Sequence, residues 1–125
     1  IDTLVREAGP GSGSPLLALE LRQLGGALAR PAEDAGALDR LDARFILFAV
    51  GIPMDEGMGR AVAAHADKVV AALAPWGRQR AYLNFAERPT ASVTAFDEDC
   101  HARLLAIRAR YDAGRLMRAN HPIEG

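Results

Sequence analysis

One run of the chain, residues 45–52, constrains the fold more than any other segment because it is apolar throughout. As a strand, the run FILFAVGI places apolar residues on both of its alternating faces, and Pro53 ends it. A strand with two apolar faces is typical of the middle of a layered domain, where other elements cover both sides. We therefore predict a central strand here.

The other elements follow from the spacing of apolar residues. Alternating leucines predict a half-buried strand over residues 17–21, and residues 81–86 predict a third strand. A helix capped by Asp55 is expected to reach about residue 74, and another helix about residue 112. Strands that are neighbours in sequence usually pair, so the expected fold is α+β, with a small antiparallel sheet and helices packed on one face.

Two segments between these elements carry local signals. Residues 9–15, GPGSGSP, lead into a strand and lack the lysine of a phosphate-binding loop, so we interpret them as a connector. Thr94 and Asp97 have the spacing of a capping box at the start of the last helix. That helix is expected to bury four side chains, those of Cys100, Leu104, Ile107 and Tyr111.

Charge and composition argue against two classes of partner. The net charge is −1, and no run reaches the roughly 18–20 apolar residues of a membrane-spanning helix, so we expect neither nucleic acid nor a membrane as a partner. The last helix and its exit are rich in arginine. Asp99 lies four residues before Arg103. Asp112 is likewise within reach of Arg108, so a solvated, salt-bridged face is favoured over a nucleic-acid patch.

The cysteine, serine and histidine residues show no catalytic or metal-binding pattern. Three acidic residues directly precede Cys100 and would raise the pKa of its thiol, which favours a small core residue over a nucleophile. Ser92 is not flanked by the glycines of a nucleophile elbow. No metal site is predicted, because no ligand spacing accompanies any of the three histidines, His65, His101 and His121.

The third predicted strand carries a notable pair of polar side chains. On a strand, Tyr82 and Asn84 lie on one face, while Leu83 and Phe85 lie on the other. A phenol beside an amide can hydrogen-bond a bound ring or a substrate hydroxyl. From the pattern alone, the alternative of a half-exposed strand whose tyrosine covers a helix stays open.

Several short motifs follow one another in a particular order. They are LELRQLGG at residues 19–26, the apolar strand, Tyr82-x-Asn84, Tyr111-Asp112 and the closing NHPI at residues 120–123. Their order and spacing, from residue 19 to residue 123, resemble the C-terminal region of FAD-linked oxidases of the berberine bridge enzyme type.

This resemblance implies one part of a longer, two-part flavoprotein. An N-terminal module would bind FAD, and the substrate domain would lay its antiparallel sheet over the isoalloxazine ring. The implied reaction is hydride transfer from a small organic substrate to FAD, which dioxygen commonly reoxidises. On this comparison residues 1–15 are the end of a helix and a connector, residues 16–112 are the substrate-domain part, and residues 113–125 return towards the FAD-binding domain of the same protein.

The resemblance also indicates site residues. Tyr82 and Asn84 match the family's Tyr-x-Asn, with Tyr82 as the candidate catalytic residue, and Asn120 matches an Asn of the closing segment. Phe48 and Phe85 would lie near the substrate or cofactor. Many members have a second Tyr at position 85 that is proposed as the base, whereas Phe85 has no proton to exchange. Tyr82 or a residue outside this chain would then serve as base, or the substrate needs no strong base.

Two other classes of function stay open. One is a free-standing α+β module that binds a small ligand, or dimerises through its sheet, without catalysis. The weaker alternative is a nucleic-acid module that uses the arginines of the last helix. A cytoplasmic location is expected because no signal-peptide pattern is visible, and the sequence does not indicate the oligomeric state.

We predict that the complete oxidoreductase prefers apolar substrates to sugars. Relatives often carry an acidic or amide side chain facing the flavin on the second strand, whereas residues 45–50 are wholly apolar here. A turnover screen of the complete enzyme against both substrate classes checks this expectation, and a sugar as the best substrate would contradict it.

Overall fold

In the computed structural model, which describes residues 1–78 and 80–124, the chain forms two compact units. Unit 1 comprises Ile1–Gly26 and Asp42–Arg78, and unit 2 comprises Ala27–Leu41 and Gln79–Gly125. The long connection between the two strands of unit 1 therefore belongs largely to unit 2. The division of the chain at residues 15 and 112 was predicted from the family resemblance, whereas the two units are defined by contacts within the structure. That predicted division stays a prediction.

Unit 1 contains a two-stranded antiparallel sheet and two helices, and this confirms the predicted α+β class. Ala18 pairs with Val50 at one end of the sheet, and Gln23 pairs with Phe45 at the other. The elements in chain order are α1 (Asp2–Ala8), β1 (Ala18–Gln23), β2 (Phe45–Val50) and α2 (Glu56–Leu73).

The prediction that β2 is a central, fully covered strand is wrong. Within the described residues, β1 is the only strand that pairs with β2, so β2 lies at an edge of the sheet. Phe45 is 47% exposed, and the rest of β2 is only partly buried. The alternating leucines of β1 are likewise buried only at one end, since Leu19 is half-buried while Leu21 is exposed. A strand with two apolar faces is fully buried only where other elements pack against both faces, and in the described part of unit 1 the strand stays partly exposed.

Helix α2 begins as predicted and packs close to the end of β2. The Asp55 carboxylate caps it by accepting a hydrogen bond from the Met58 backbone N–H at 2.7 Å. A β-carbon at Gly51 would lie 2.5 and 2.7 Å from the two γ-carbons of Val62, so only glycine fits where the chain leaves β2. Val69 is fully buried, whereas Val70, next to it in the chain, is 55% exposed.

Helix α1 is held against α2 by polar contacts around Glu7. The Glu7 carboxylate lies 2.8 Å from the Lys68 ammonium and 3.0 Å from Arg6 Nε. These two partners, with Lys68 the stronger, lower the pKa of Glu7. His65 Nε2 lies 3.0 Å from the Glu7 carbonyl oxygen, which joins the two helices a second time.

Unit 2 contains helix α3 (Glu98–Tyr111) and several short 3₁₀ turns. The predicted third strand over residues 81–86 is wrong, because Leu83–Phe85 form a 3₁₀ turn. The Phe85 N–H donates to the Tyr82 carbonyl at 2.9 Å, and the Ala86 N–H donates to the Leu83 carbonyl at 3.1 Å. Local hydrogen bonds of this kind use the backbone groups that a strand ladder would need.

Helix α3 begins three residues later than the predicted capping box. The Asp97 carboxylate accepts a hydrogen bond from the Cys100 N–H at 2.9 Å, whereas the Thr94 hydroxyl donates to the Ala91 carbonyl at 2.7 Å. Thr94 as N-cap is therefore wrong. Of the four side chains expected to be buried, Cys100 and Leu104 are half-buried while Ile107 and Tyr111 are exposed. The buried position of the helix is His101.

None of the helices within residues 1–78 and 80–124 combines the length and apolar character needed to cross a lipid bilayer.

We predict that Val69→Ala lowers the free energy of unfolding by about 2 kcal/mol, because it removes two methyl groups from a fully enclosed position. Val70→Ala is the matched control on the same helix and should change stability by less than about 0.5 kcal/mol. Urea denaturation followed by circular dichroism measures both values. Equal losses for the two variants would contradict the packing of α2.

Candidate functional site

Unit 2 contains a partly open cavity of about 300 Å³, and it is the candidate site of this chain. Its volume lies at the lower end of the range for small-molecule sites, which are mostly apolar with a few convergent polar groups. Two side chains, those of Tyr82 and Asn84, bring hydrogen-bonding groups to an otherwise apolar lining. The remaining lining residues are Leu38, Ala81, Leu83, Ala95 and Phe96.

Hydrogen bonds within unit 2 hold the walls of this cavity together. The Ala81 backbone N–H donates to the Thr94 carbonyl at 3.0 Å, which joins the segment carrying Tyr82 to the segment that leads into α3. The Cys100 thiol donates to the Ala37 carbonyl at 3.1 Å. This contact attaches the excursion that carries Leu38 to the first turn of α3, and Leu38 supplies one wall.

Tyr82 and Asn84 lie side by side, as predicted, although no strand carries them. The Asn84 Nδ2 group donates a hydrogen bond to the Tyr82 hydroxyl oxygen at 3.1 Å. The expectation that Leu83 and Phe85 face the other way is wrong. Leu83 lines the same cavity, and the Phe85 ring meets the Tyr82 ring edge-on, with 5.0 Å between the ring centroids. A 3₁₀ turn has three residues per turn and so superposes positions i and i+3.

The other two predicted site residues lie elsewhere in the chain. Phe48 belongs to β2 in unit 1, where the Arg22 guanidinium carbon lies 4.6 Å from the centroid of its ring. Asn120 belongs to unit 2, is exposed, and stands outside the lining of the cavity. Among the five residues proposed from the sequence, the structure therefore brings together Tyr82, Asn84 and Phe85.

A buried serine–histidine pair in unit 2 was missed by the sequence reasoning. Ser92 Oγ lies 2.8 Å from His101 Nε2, and both residues are buried. The Ser92 hydroxyl also accepts a hydrogen bond from the Glu124 backbone N–H at 3.3 Å. A serine that is 2% exposed offers no access to a substrate, so this pair organises the fold and does not act as a nucleophile. Ser92 and His101 are nine residues apart, one in a turn and the other in the first turn of α3, so no periodic pattern in the sequence predicts their contact.

The closing segment of the chain is tied to the same region. The Thr90 N–H donates to His121 Nδ1 at 3.3 Å, and the Arg108 guanidinium donates to the Ile123 carbonyl. The Asp112 carboxylate accepts hydrogen bonds from the backbone N–H groups of Leu116 and Met117. The predicted ion pair between Arg108 and Asp112 is therefore wrong, because each side chain serves the backbone of the segment that follows α3.

The pKa of the Cys100 thiol is raised, as the sequence predicts. Burial is the main cause, and the negative charge of Asp97 is the second. The predicted direction is confirmed, while the main physical reason differs from the charge argument made from the sequence. A raised pKa leaves little thiolate at neutral pH, so Cys100 behaves as a packing residue.

Unit 1 has a shallower depression of about 440 Å³ that includes His65 and Lys68. The Lys68 ammonium is paired with the Glu7 carboxylate, so its charge is already compensated and is poorly available to an anion. Across the part of the chain that the structure describes, no three His, Cys, Asp or Glu side chains gather as a metal site would require.

No protein-family model, curated protein or solved structure matches this chain. The functional assignment therefore depends on the motifs in the sequence and on the geometry of the cavity in unit 2.

We predict that Ser92→Ala lowers the free energy of unfolding by about 1–3 kcal/mol, since it leaves His101 Nε2 and the Glu124 N–H without their shared partner. Hydrogen exchange measured by mass spectrometry should also become faster over residues 121–124. Ser12→Ala, in an exposed loop, is the control and should change neither quantity. Unaltered exchange of the closing segment in Ser92→Ala would contradict its attachment through Ser92.

Proposed function

We propose that this chain is the substrate-domain part of an FAD-dependent oxidoreductase. The enzyme transfers a hydride from a small organic substrate to FAD, and dioxygen reoxidises the reduced FAD. The observation that supports the proposal most is the hydrogen-bonded Tyr82–Asn84 pair in an apolar cavity. The pair comes from the Tyr-x-Asn motif on which the resemblance to berberine bridge-type oxidases depends.

The residues of this chain fit the substrate better than they fit the whole cofactor. A cavity of about 300 Å³ suits a small molecule, whereas FAD is a dinucleotide with a charged pyrophosphate. The lining of the cavity includes no cationic side chain that could neutralise phosphate. The FAD-binding domain of the same protein is therefore the proposed partner that holds the cofactor, and a cytoplasmic location goes with this proposal.

Within this proposal Tyr82 and Asn84 contact the substrate. Both groups can form hydrogen bonds, and the side chains around them in the cavity are apolar. Phe85 has a positioning role, because its ring packs edge-on against Tyr82 and cannot itself exchange a proton. Asn120 and Phe48 keep their proposed place near the substrate or cofactor on the resemblance alone.

A second candidate function is a free-standing module that binds a small ligand without catalysis. The observation that favours it is that every residue lining the cavity belongs to unit 2. A ligand could then bind without any contribution from a flavin domain. Flavin content separates this candidate from the oxidoreductase.

We predict that the 125-residue chain, mixed with FAD and passed through a desalting column, retains no flavin, because its cavity lacks a phosphate-binding group. The complete protein purified from its source should retain flavin in the same procedure. Absorbance spectra of the two eluates measure the difference. A flavin-containing eluate of the isolated chain, or a complete protein without flavin, would contradict the proposed function.

A further inference from the structure

The orientation of the Tyr82 hydroxyl points to the chemical class of the substrate. We propose that Tyr82 is a fixed hydrogen-bond donor, and that the cavity selects a compact apolar molecule with an acceptor oxygen, an alcohol as substrate and the ketone as its oxidised product, over the corresponding amine. This inference rests on the proposed function only in taking the cavity as the substrate site.

The hydrogen bond from Asn84 determines which way the Tyr82 hydroxyl proton points. A phenolic hydroxyl both donates and accepts, and conjugation with the ring keeps its hydrogen close to the ring plane, on one of two sides. The Asn84 Nδ2 group donates to the Tyr82 oxygen at 3.1 Å and so approaches its lone pair. The hydroxyl hydrogen is then directed away from Asn84, where it can meet an acceptor.

The Tyr82 ring is itself held in place, so the direction of the donor is defined. The Phe85 ring packs against it at an interplanar angle of 89°. The Phe85 N–H also donates to the Tyr82 carbonyl at 2.9 Å, which fixes the two residues in one turn. Since Phe85 has no hydroxyl, it offers Tyr82 no competing hydrogen-bond partner on that ring.

The lining of the cavity argues against a charged ligand. Apart from Tyr82 and Asn84, its side chains are apolar, and none is an acid that could pair with an ammonium group. Even partial removal from water costs an unpaired charge more free energy than it costs a neutral oxygen that accepts one hydrogen bond. An amine is cationic at neutral pH, so its binding is weakened because no carboxylate in the lining compensates its charge and the Tyr82 hydroxyl presents a donor to it.

Three probes of similar shape test this inference on the 125-residue chain. They are acetophenone with an acceptor oxygen, 1-phenylethylamine with an ammonium group, and isopropylbenzene with no polar group. Dissociation constants come from ligand-detected NMR titrations at pH 7. Acetophenone should bind about two- to tenfold more tightly than isopropylbenzene, the range expected for one net neutral hydrogen bond, and 1-phenylethylamine should bind most weakly.

Variants assign the preference to the Tyr82 hydroxyl. Tyr82→Phe should abolish the advantage of acetophenone while leaving isopropylbenzene binding unchanged, which also shows that the cavity is intact. Asn84→Ala should reduce the advantage, because the hydroxyl is then free to rotate. Tyr111→Phe, which removes the hydroxyl of an exposed tyrosine on α3, is the matched control and should change neither constant.

Three results would overturn the inference. They are equal or tighter binding of the amine, an acetophenone preference that survives Tyr82→Phe, and no binding of any probe by the unmodified chain. None of these measurements involves flavin. A complete protein without flavin would therefore overturn the proposed function while leaving this inference intact.

Discussion

Unit 2 depends most on the buried hydroxyl of Ser92. It lies 2.8 Å from His101 Nε2 on α3 and accepts the Glu124 N–H at 3.3 Å, so one atom joins the start of the helix to the closing segment. Two residues further on, the Thr94 carbonyl accepts the Ala81 N–H and brings in the segment that carries Tyr82. A buried polar group of this kind must keep its partners, because leaving them unpaired is costly. The Ala81–Thr94 bond joins two of the segments that line the cavity.

Local signals in the sequence were enough for much of unit 1. The cap at Asp55 and the helix that it begins depend on residues within a few positions of each other, and both appear in the structure. The antiparallel pairing of β1 with β2 also follows from a simple rule about neighbouring strands. The burial of β2 could not be predicted in this way. The pattern FILFAV indicates that burying both faces of the strand is favourable, but it does not indicate which segment of the chain packs against them.

Unit 2 was harder to predict because its contacts are irregular. The prediction that Tyr82 and Asn84 lie together is confirmed. The prediction that Phe85 faces away from them is wrong, because it assumed the two-residue period of a strand, whereas a 3₁₀ turn brings residue 85 back beside residue 82. The Ser92–His101 contact and the attachment of Leu38 through the Ala37 carbonyl join distant segments through single polar atoms. Neither contact leaves a repeating pattern in the sequence.

The central proposal is that Tyr82 and Asn84 form the polar end of a substrate site. A crystal structure of the complete, flavin-containing protein with a bound carbonyl inhibitor tests it most directly. The account predicts the inhibitor oxygen within hydrogen-bonding distance of the Tyr82 hydroxyl, with Asn84 still donating to that hydroxyl. An inhibitor bound beside the flavin without contact to either residue would contradict the account.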